Sequence, residues 1–223
     1  MKTKYKRTYH LPWSQGVQSD DKIIPSHVLE EFMGQEVIVS EKLDGENTSL
    51  YSDYMHARSI DSAHNFTRDW VKKMHSVLRH EFPEGWRFVG ENMWAEHSIR
   101  YENLKGYFYL FAIFNEENVL IDYDEMVQYA EMLELPLPKV FGRFIYNEDK
   151  IKSLSKELDF NQVEGYVVRL KKAVYQDPEA DFLRGIAKFV RKNHVQTDEH
   201  WLKNVKQNGE LGEIVLPSFL SKN

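Results

Sequence analysis

Apolar residues fall along the chain in two patterns. Short runs rich in β-branched or aromatic residues, bounded by turn-forming residues, read as strands: Glu36–Ser40, Thr48–Tyr51, Arg87–Glu91, Tyr107–Phe114, Val163–Leu170 and Gly185–Val190. Asp44-Gly45-Glu46-Asn47 separates the first two, and such a turn predicts that they pair as a hairpin. The longer pattern is helical. Thr67–His80 carries Trp70, Val71, Met74, Val77 and Leu78 on one face, and Asp124–Leu135 repeats this with Met126, Val127, Ala130 and Leu133. Glu148–Leu158 reads as a third, shorter helix. Strands and helices do not alternate regularly, which predicts an α+β fold of antiparallel sheets rather than a doubly wound parallel one.

Composition narrows the class. The chain has 223 residues, 42% of them apolar and 29% charged, enough to bury a sizeable core. No internal repeat or Gly/Ser-rich or Pro-rich linker divides it, so residues 1–223 are expected to form a single domain with a short C-terminal tail, 193–223. Having no cysteine, it has no disulfides, thiolate metal sites or cysteine nucleophile, and it fits a reducing cytoplasm. No run approaches the roughly 20 apolar residues of a membrane span, and no apolar stretch follows the basic Met1–Arg7 segment, so neither membrane nor secretory targeting is expected. The formal charge of −6 argues against a polybasic nucleic-acid coat. It is unevenly spread, however. Asn115–Glu134 holds seven acidic residues and no Lys or Arg, while Arg184–Lys206 holds six basic residues against Asp198 and Glu199. The second stretch is the candidate polyanion face; a solvated helix face is the plainer reading. His75 and His80, five apart, do not match metal-ligand spacing on a helix and read as surface and boundary residues.

The chemistry concentrates in Ser40-Glu41-Lys42-Leu43-Asp44-Gly45-Glu46-Asn47. Here a lysine leaves a buried strand and enters a tight turn, which would fix its head as a nucleophile. A free lysine has a pKa of about 10.4, so its neutral form at pH 7 lies about 4.6 kcal/mol uphill. Nearby positive charge, from other lysines or Mg²⁺, would have to offset that. Lys-x-Asp-Gly alone arises by chance in roughly one chain in twenty of this length, and an ordinary Asp-Gly turn with a surface lysine is the competing reading.

Lys42-Leu43-Asp44-Gly45-Glu46-Asn47 resembles motif I of the covalent nucleotidyltransferases, which comprise ATP-dependent DNA ligases, RNA ligases and mRNA capping enzymes. The other motifs of that superfamily have counterparts in the same order. Arg58-Ser59, sixteen residues on, resembles motif Ia. Phe88-Val89-Gly90-Glu91-Asn92 resembles motif III, and Tyr107–Ile113 resembles motif IIIa. Val163-Glu164-Gly165-Tyr166-Val167-Val168-Arg169 resembles motif IV, and Gly185–Lys192 resembles motif V.

The resemblance implies a nucleotidyltransferase fold of antiparallel sheets flanked by helices, ATP-grasp-like, and an enzyme that uses ATP with Mg²⁺ or Mn²⁺. It implies that Lys42 attacks the α-phosphate. Glu41, Asp44, Asn47, Arg58, Glu91 and Lys188 would bind the nucleotide, Phe111 (with Phe108 as the alternative) would stack on the adenine, and Glu164 would hold the metal. Each role suits its residue: base stacking contributes about 1–3 kcal/mol, and Mg²⁺ favours one or two carboxylates plus substrate phosphates. Asn47 is typical of RNA ligases that seal breaks in double-stranded RNA, whereas DNA ligases and capping enzymes usually carry arginine there. Arg7–Ser14 and Lys192–Trp201 also resemble stretches of small phage and bacterial RNA ligases, making His10, Trp13, His194, His200, Arg191 and Lys192 candidates for RNA or phosphate contacts. For the histidines and Trp13, packing or capping is the competing reading.

Two features depart from the pattern. Motif V lacks the Lys-x-Lys of many relatives, leaving the second cation open. Only 31 residues follow Lys192, too few for an oligonucleotide-binding barrel, so a partner protein is a candidate for substrate recognition. The implied activity is an ATP-dependent RNA ligase that joins RNA 5′-phosphate and 3′-hydroxyl ends, in the cytoplasm of a bacterial or phage-infected cell. The alternatives are a DNA ligase or capping-type enzyme, or a non-catalytic nucleotide- or RNA-binding module.

Overall fold

Two sheets face each other across a cleft, and the chain passes between them at the motif I lysine. The computed structural model describes residues 2–192 and 205–209. In chain order the strands are β1 (Arg7–His10), β2 (Glu36–Lys42), β3 (Glu46–Leu50), β4 (Met55–Ala57), β5 (Arg87–Asn92), β6 (Phe108–Phe114), β7 (Val119–Leu120), β8 (Val140–Ile145), β9 (Gly165–Leu170), β10 (Val174–Tyr175) and β11 (Phe182–Val190). The first sheet has the order β1-β11-β9-β2-β8 and the second β10-β7-β6-β5-β3-β4. Four α-helices accompany them: α1 (Ser26–Leu29), α2 (Asp69–Leu78), α3 (Tyr123–Met132) and α4 (Glu148–Glu157). The fold is therefore α+β, as the irregular order of strands and helices predicts. Strand pairing is antiparallel except that β1 runs parallel to β11.

The expected hairpin does not form. β2 pairs with β8 and β9, whereas β3 pairs with β4 and β5, so Leu43–Gly45 is a crossover between sheets. A turn signal is local and says only that the chain bends; the strands' partners are set by which faces must be buried. Gly45 is required for the close approach, because a Cβ there would lie 2.5 Å from the Asn92 carbonyl oxygen and 2.9 Å from Met93 Sδ.

Side-chain alternation gives each strand of the first sheet two distinct faces. Val37 and Val39 of β2, Tyr166, Val168 and Leu170 of β9, and Ala187 and Phe189 of β11 pack outward with Val28 and Leu29 of α1 and Ile151 of α4. Their alternates Ile38, Ser40, Lys42, Val167, Arg169, Ile186 and Lys188 face the cleft. The second sheet is backed by α2 and α3. Val71, Met74 and Leu78 of α2 and Met126 and Ala130 of α3 bury against Phe88, Phe108, Leu110 and Ile113. Apart from Ala130, each such side chain contributes about 1.5–3 kcal/mol by leaving water. α3 and α4 begin at capping side chains: Asp122 Oδ1 accepts from the Asp124 N–H, and Asn147 Oδ1 from the Lys150 N–H, each at 2.9 Å.

His75 is not a surface residue. It is buried on α2, with Nε2 2.6 Å from the Tyr51 carbonyl oxygen. Polar residues on a helix's buried face break the apolar stripe without breaking the helix, so periodicity alone misplaces them.

Candidate active site

The cleft between the sheets has a volume of about 1170 Å³. Lys42 reaches it because it shares the inward parity of Ile38 and Ser40 on β2. Its Nζ contacts Glu164 Oε2, whose side chain is fully buried. Glu164 stands where the chain enters β9, and the following Gly165 permits this: a Cβ there would run into the Phe189 carbonyl oxygen of β11. Asp44, in the crossover, is fixed from two sides. Its N–H donates to Tyr101 Oη at 3.1 Å, and its Oδ2 accepts from the Ser98 N–H at 2.8 Å and from the Ser98 hydroxyl. Glu91 on β5 accepts from the Gly45 N–H at 3.2 Å.

This gathers three carboxylates about one ammonium. Burial alone would lower the Lys42 pKa, but Glu164, Glu91 and Asp44 outweigh it and hold the lysine above its ordinary pKa. The acids show the corresponding shortage of positive charge. Burial pushes Glu91 up to about 8, with Lys42 opposing and Glu164 adding to the shift. Burial raises Glu164 as well, again against Lys42. Lys188 on β11 is shifted the other way, lowered by burial and then by Lys42. Lys42 is thus present on the cleft but held protonated.

The opposite wall carries a different set. Phe111 of β6 is half-buried on the cleft, its ring meeting the edge of Tyr5 at 5.5 Å. Phe108, the alternative for stacking, is fully buried in the core beneath. Ile38, Val167 and Ile186 complete an apolar end around Phe111. Arg169, 4% exposed, donates to the Phe111 carbonyl at 3.2 Å and to the Ile121 carbonyl. Asn47 and Glu41 line the cleft too, and Asn47 Oδ1 is buried with no partner among the described residues. Arg58, just beyond β4, is exposed on the cleft. The segment that carries it is pinned by Arg68, whose Nε and Nη2 donate to Glu46 at 2.6 and 2.5 Å.

Nine of the expected site residues therefore converge: Glu41, Lys42, Asp44, Asn47, Arg58, Glu91, Phe111, Glu164 and Lys188. Others do not. His10 is completely buried, between Ser14 and Asp21, and is out of reach of an RNA. Trp13 packs outward, donating to Tyr166 Oη at 2.9 Å under Lys152. Arg191 has the parity of Ala187 and Phe189 rather than of Lys188; its side chain turns from the cleft and donates to the Phe160 carbonyl at 2.8 Å. Lys192 is exposed outside the cleft. His194 and His200 lie outside the described residues. Arg68, Ser98, Tyr101 and Asp21, which hold site residues in place, carry no motif; only Arg169 was accessible to sequence reasoning, through its alternation with Val167.

Among the described residues no group of three or more His, Cys, Asp or Glu is set to hold a metal ion. A magnesium ion asks less, since one or two carboxylates plus substrate phosphates suffice. Glu164 and Glu91 are hard oxygen donors whose negative charge Lys42 only partly offsets, so the donor set fits a divalent cation. No helix among the described residues is long and apolar enough to cross a membrane.

A cleft between two sheets with a lysine, buried acids and an aromatic wall is the arrangement of a nucleotidyltransferase. The RNA ligase family model matches residues 35–190, and the chain belongs to that family. The fold is similar to that of an archaeal ATP-dependent RNA ligase, at 16% identity and a TM-score of 0.55, over 81% of this chain and 48% of that one. It is also similar to a Naegleria gruberi RNA ligase variant solved with ATP and Mn (18%, 0.52, 84% and 59%). A protein of Aquifex aeolicus described as an ATP-dependent DNA ligase matches at 19% and 0.52, over 81% and 49%. The chain thus spans about half the length of these structures. Among curated proteins, none matches its sequence.

Proposed function

We propose that the chain is an ATP-dependent RNA ligase that joins RNA 5′-phosphate and 3′-hydroxyl ends. The observation that carries this is Lys42 itself, aimed into the cleft and paired with the fully buried Glu164, with Lys188 nearby and an aromatic base wall opposite. In the first step Lys42 Nζ bonds to the α-phosphorus of ATP and pyrophosphate leaves. In the second, an RNA 5′-phosphate oxygen attacks that phosphorus; the lysine–phosphorus bond breaks and a 5′–5′ pyrophosphate forms. In the third, an RNA 3′-hydroxyl attacks the RNA phosphate and AMP departs.

Lys42 can attack only after losing the proton that Glu164 helps it keep. A divalent cation held by Glu164 and Glu91 would supply positive charge that eases this loss and offsets charge on the phosphates. The chain's own residues do the rest. Phe111 presents a face for the base, and Asn47 and Arg58 contact phosphates. Lys188 supplies charge at the α-phosphate, and Asp44, fixed by Ser98 and Tyr101, keeps the crossover in place. Positioning and electrostatics are the main contributions available to a phosphoryl transfer of this kind.

The test is incubation with α-³²P-labelled ATP and Mg²⁺, then denaturing electrophoresis. A labelled band at the protein's mass that vanishes in Lys42→Ala is expected. Nicked RNA and DNA duplexes, each with a 5′-phosphate, then separate an RNA ligase from a DNA ligase. An unlabelled wild-type protein that still binds RNA would favour a binding module instead.

A further inference from the structure

The region before β2 lies outside the family match, which begins at residue 35, yet it reaches the cation of motif V. Lys188 Nζ lies 3.5 Å from Asp21 Oδ1, and the two side chains are only 12% and 13% exposed. Asp21 Oδ2 accepts from the Gln18 N–H at 3.2 Å and faces His10 Nε2 at 3.1 Å. On its other side, His10 Nδ1 meets the Ser14 hydroxyl at 2.8 Å, and Ser14 Oγ accepts from the Val190 N–H at 2.9 Å. The connection leaves β11 at Val190, passes through Ser14, His10 and Asp21, and returns to β11 at Lys188, two residues away.

Electrostatics give this closed path a purpose. Lys188 is pressed by burial and by the ammonium of Lys42 on β2; Asp21 and, more distantly, Glu164 are what favour its charge. His10 is pushed down to about 4 by burial and by Lys188, so at neutral pH it is uncharged. A neutral histidine can buttress Asp21 without competing with Lys188 for its charge. A carboxylate left unsupported in such a site would swing toward water or draw the lysine away from the phosphates.

We propose that Asp21, backed by His10, is a positioning residue that keeps the Lys188 ammonium directed at the nucleotide phosphates. This rests on the reading of Lys188 as a phosphate-binding cation. It also gives the buried His10 a role, through Asp21 rather than through RNA.

The test is a double-mutant cycle on the full chain, reading the rate of lysine adenylylation and the KM for ATP. Asp21→Asn is expected to lower adenylylation efficiency about tenfold. Added to Lys188→Ala, it should cost nothing more, because the residue it positions is gone. Asp21→Glu, which keeps the charge, should stay within about threefold of wild type, and it serves as the probe if circular dichroism shows Asp21→Asn unfolded. Effects of Asp21→Asn and Lys188→Ala that multiply would overturn the proposal, as would a harmless Asp21→Asn beside a damaging Lys188→Ala. A harmless Lys188→Ala beside an inactive Lys42→Ala would overturn it too, while leaving the ligase reading intact. Full labelling of Lys42→Ala would instead sink the ligase reading itself.

Discussion

The two walls of the cleft are secured differently. On the first sheet, Lys42 and Lys188 project from strands whose opposite faces, Val37, Val39, Ala187 and Phe189, are packed to exclusion of water. Their positions are therefore fixed by the core. On the second sheet Phe111 and Glu91 also lie on strands, but Arg58 sits in a connecting segment held by side-chain ties: the Glu46–Arg68 pair, and Tyr54 and Arg68 donating to the Ile60 and Ala63 carbonyls. The first wall collects Lys42, Lys188 and Glu164, the charges that would make and break bonds. The second faces them with Glu91 and adds an aromatic face and polar groups suited to a nucleoside. Bond formation depends on placing reacting atoms to a fraction of an ångström, and rigid strands supply that; recognition of a nucleotide tolerates a looser frame. Substitutions on the first wall should then lower the rate, and those on the second should raise the KM for ATP.

Lys42→Ala should show the largest effect, a loss of at least about 10³-fold in adenylylation, as expected when a nucleophile is removed. Residual labelling near wild type would mean that another residue carries the nucleotide. Glu164→Gln sharpens the case. Glu164 is the group that most strongly raises the Lys42 pKa, so removing its charge should free the lysine's proton more readily. If that were its only role, the variant would be faster. We expect it to be slower by about 10²-fold, because a ligand for the divalent cation is lost and the charge beside the α-phosphate with it. Single-turnover rates measured against Mg²⁺ concentration distinguish the two: only the metal role predicts a higher Mg²⁺ requirement.

Phe111→Ala tests the second wall. Loss of a stacking face should raise the KM for ATP about tenfold, the lower end of what base stacking contributes, while the rate at saturating ATP changes less than about threefold. Phe111→Tyr should restore binding. A fall in rate with an unchanged KM would erase the proposed division between the walls.

The sequence carried the chemistry further than the topology. The order of motifs from Glu41 to Lys188 located nine cleft residues: strand alternation aims Lys42 and Lys188 inward, while Asp44, Arg58 and Glu164 sit at strand ends or in connections that open on the cleft. The helices α2, α3 and α4 were legible to within a few residues, whereas the four-residue α1 was too short to show a pattern. What failed shares one physical cause: sequence windows do not report tertiary partners. Asp44–Asn47 reads as a hairpin turn whichever sheet receives β3. The strand Arg7–His10 has no local signature, since its partner β11 is about 175 residues away. His10 and Trp13 look like exposed contact residues until the neighbouring Asp21 and Tyr166 are seen. Arg191 is the exception to that cause: its parity with Ala187 and Phe189, readable in the sequence, already places it on the outer face.

The smallest effect concerns stability rather than turnover, and it probes the crowded acids that join the two walls. Burial raises the Glu91 pKa from 4.5 to about 8, and Glu164 is shifted in the same direction. A carboxyl group raised in the folded state takes up a proton on folding. Its contribution to stability is therefore complete below its unfolded pKa and is lost as pH rises toward its folded one. The nucleotide-free protein should accordingly lose thermal stability between about pH 5 and pH 8. Glu91→Gln copies the shape of the protonated acid without its charge. It should match wild type at the acidic end and melt about 2–4 °C higher at the alkaline end, as a gain near 1 kcal/mol implies for a chain of this size. Parallel melting curves for the two proteins across that range would show that Glu91 is not charge-strained in the empty site. The argument that a divalent cation relieves excess negative charge there would then rest on Glu164 alone.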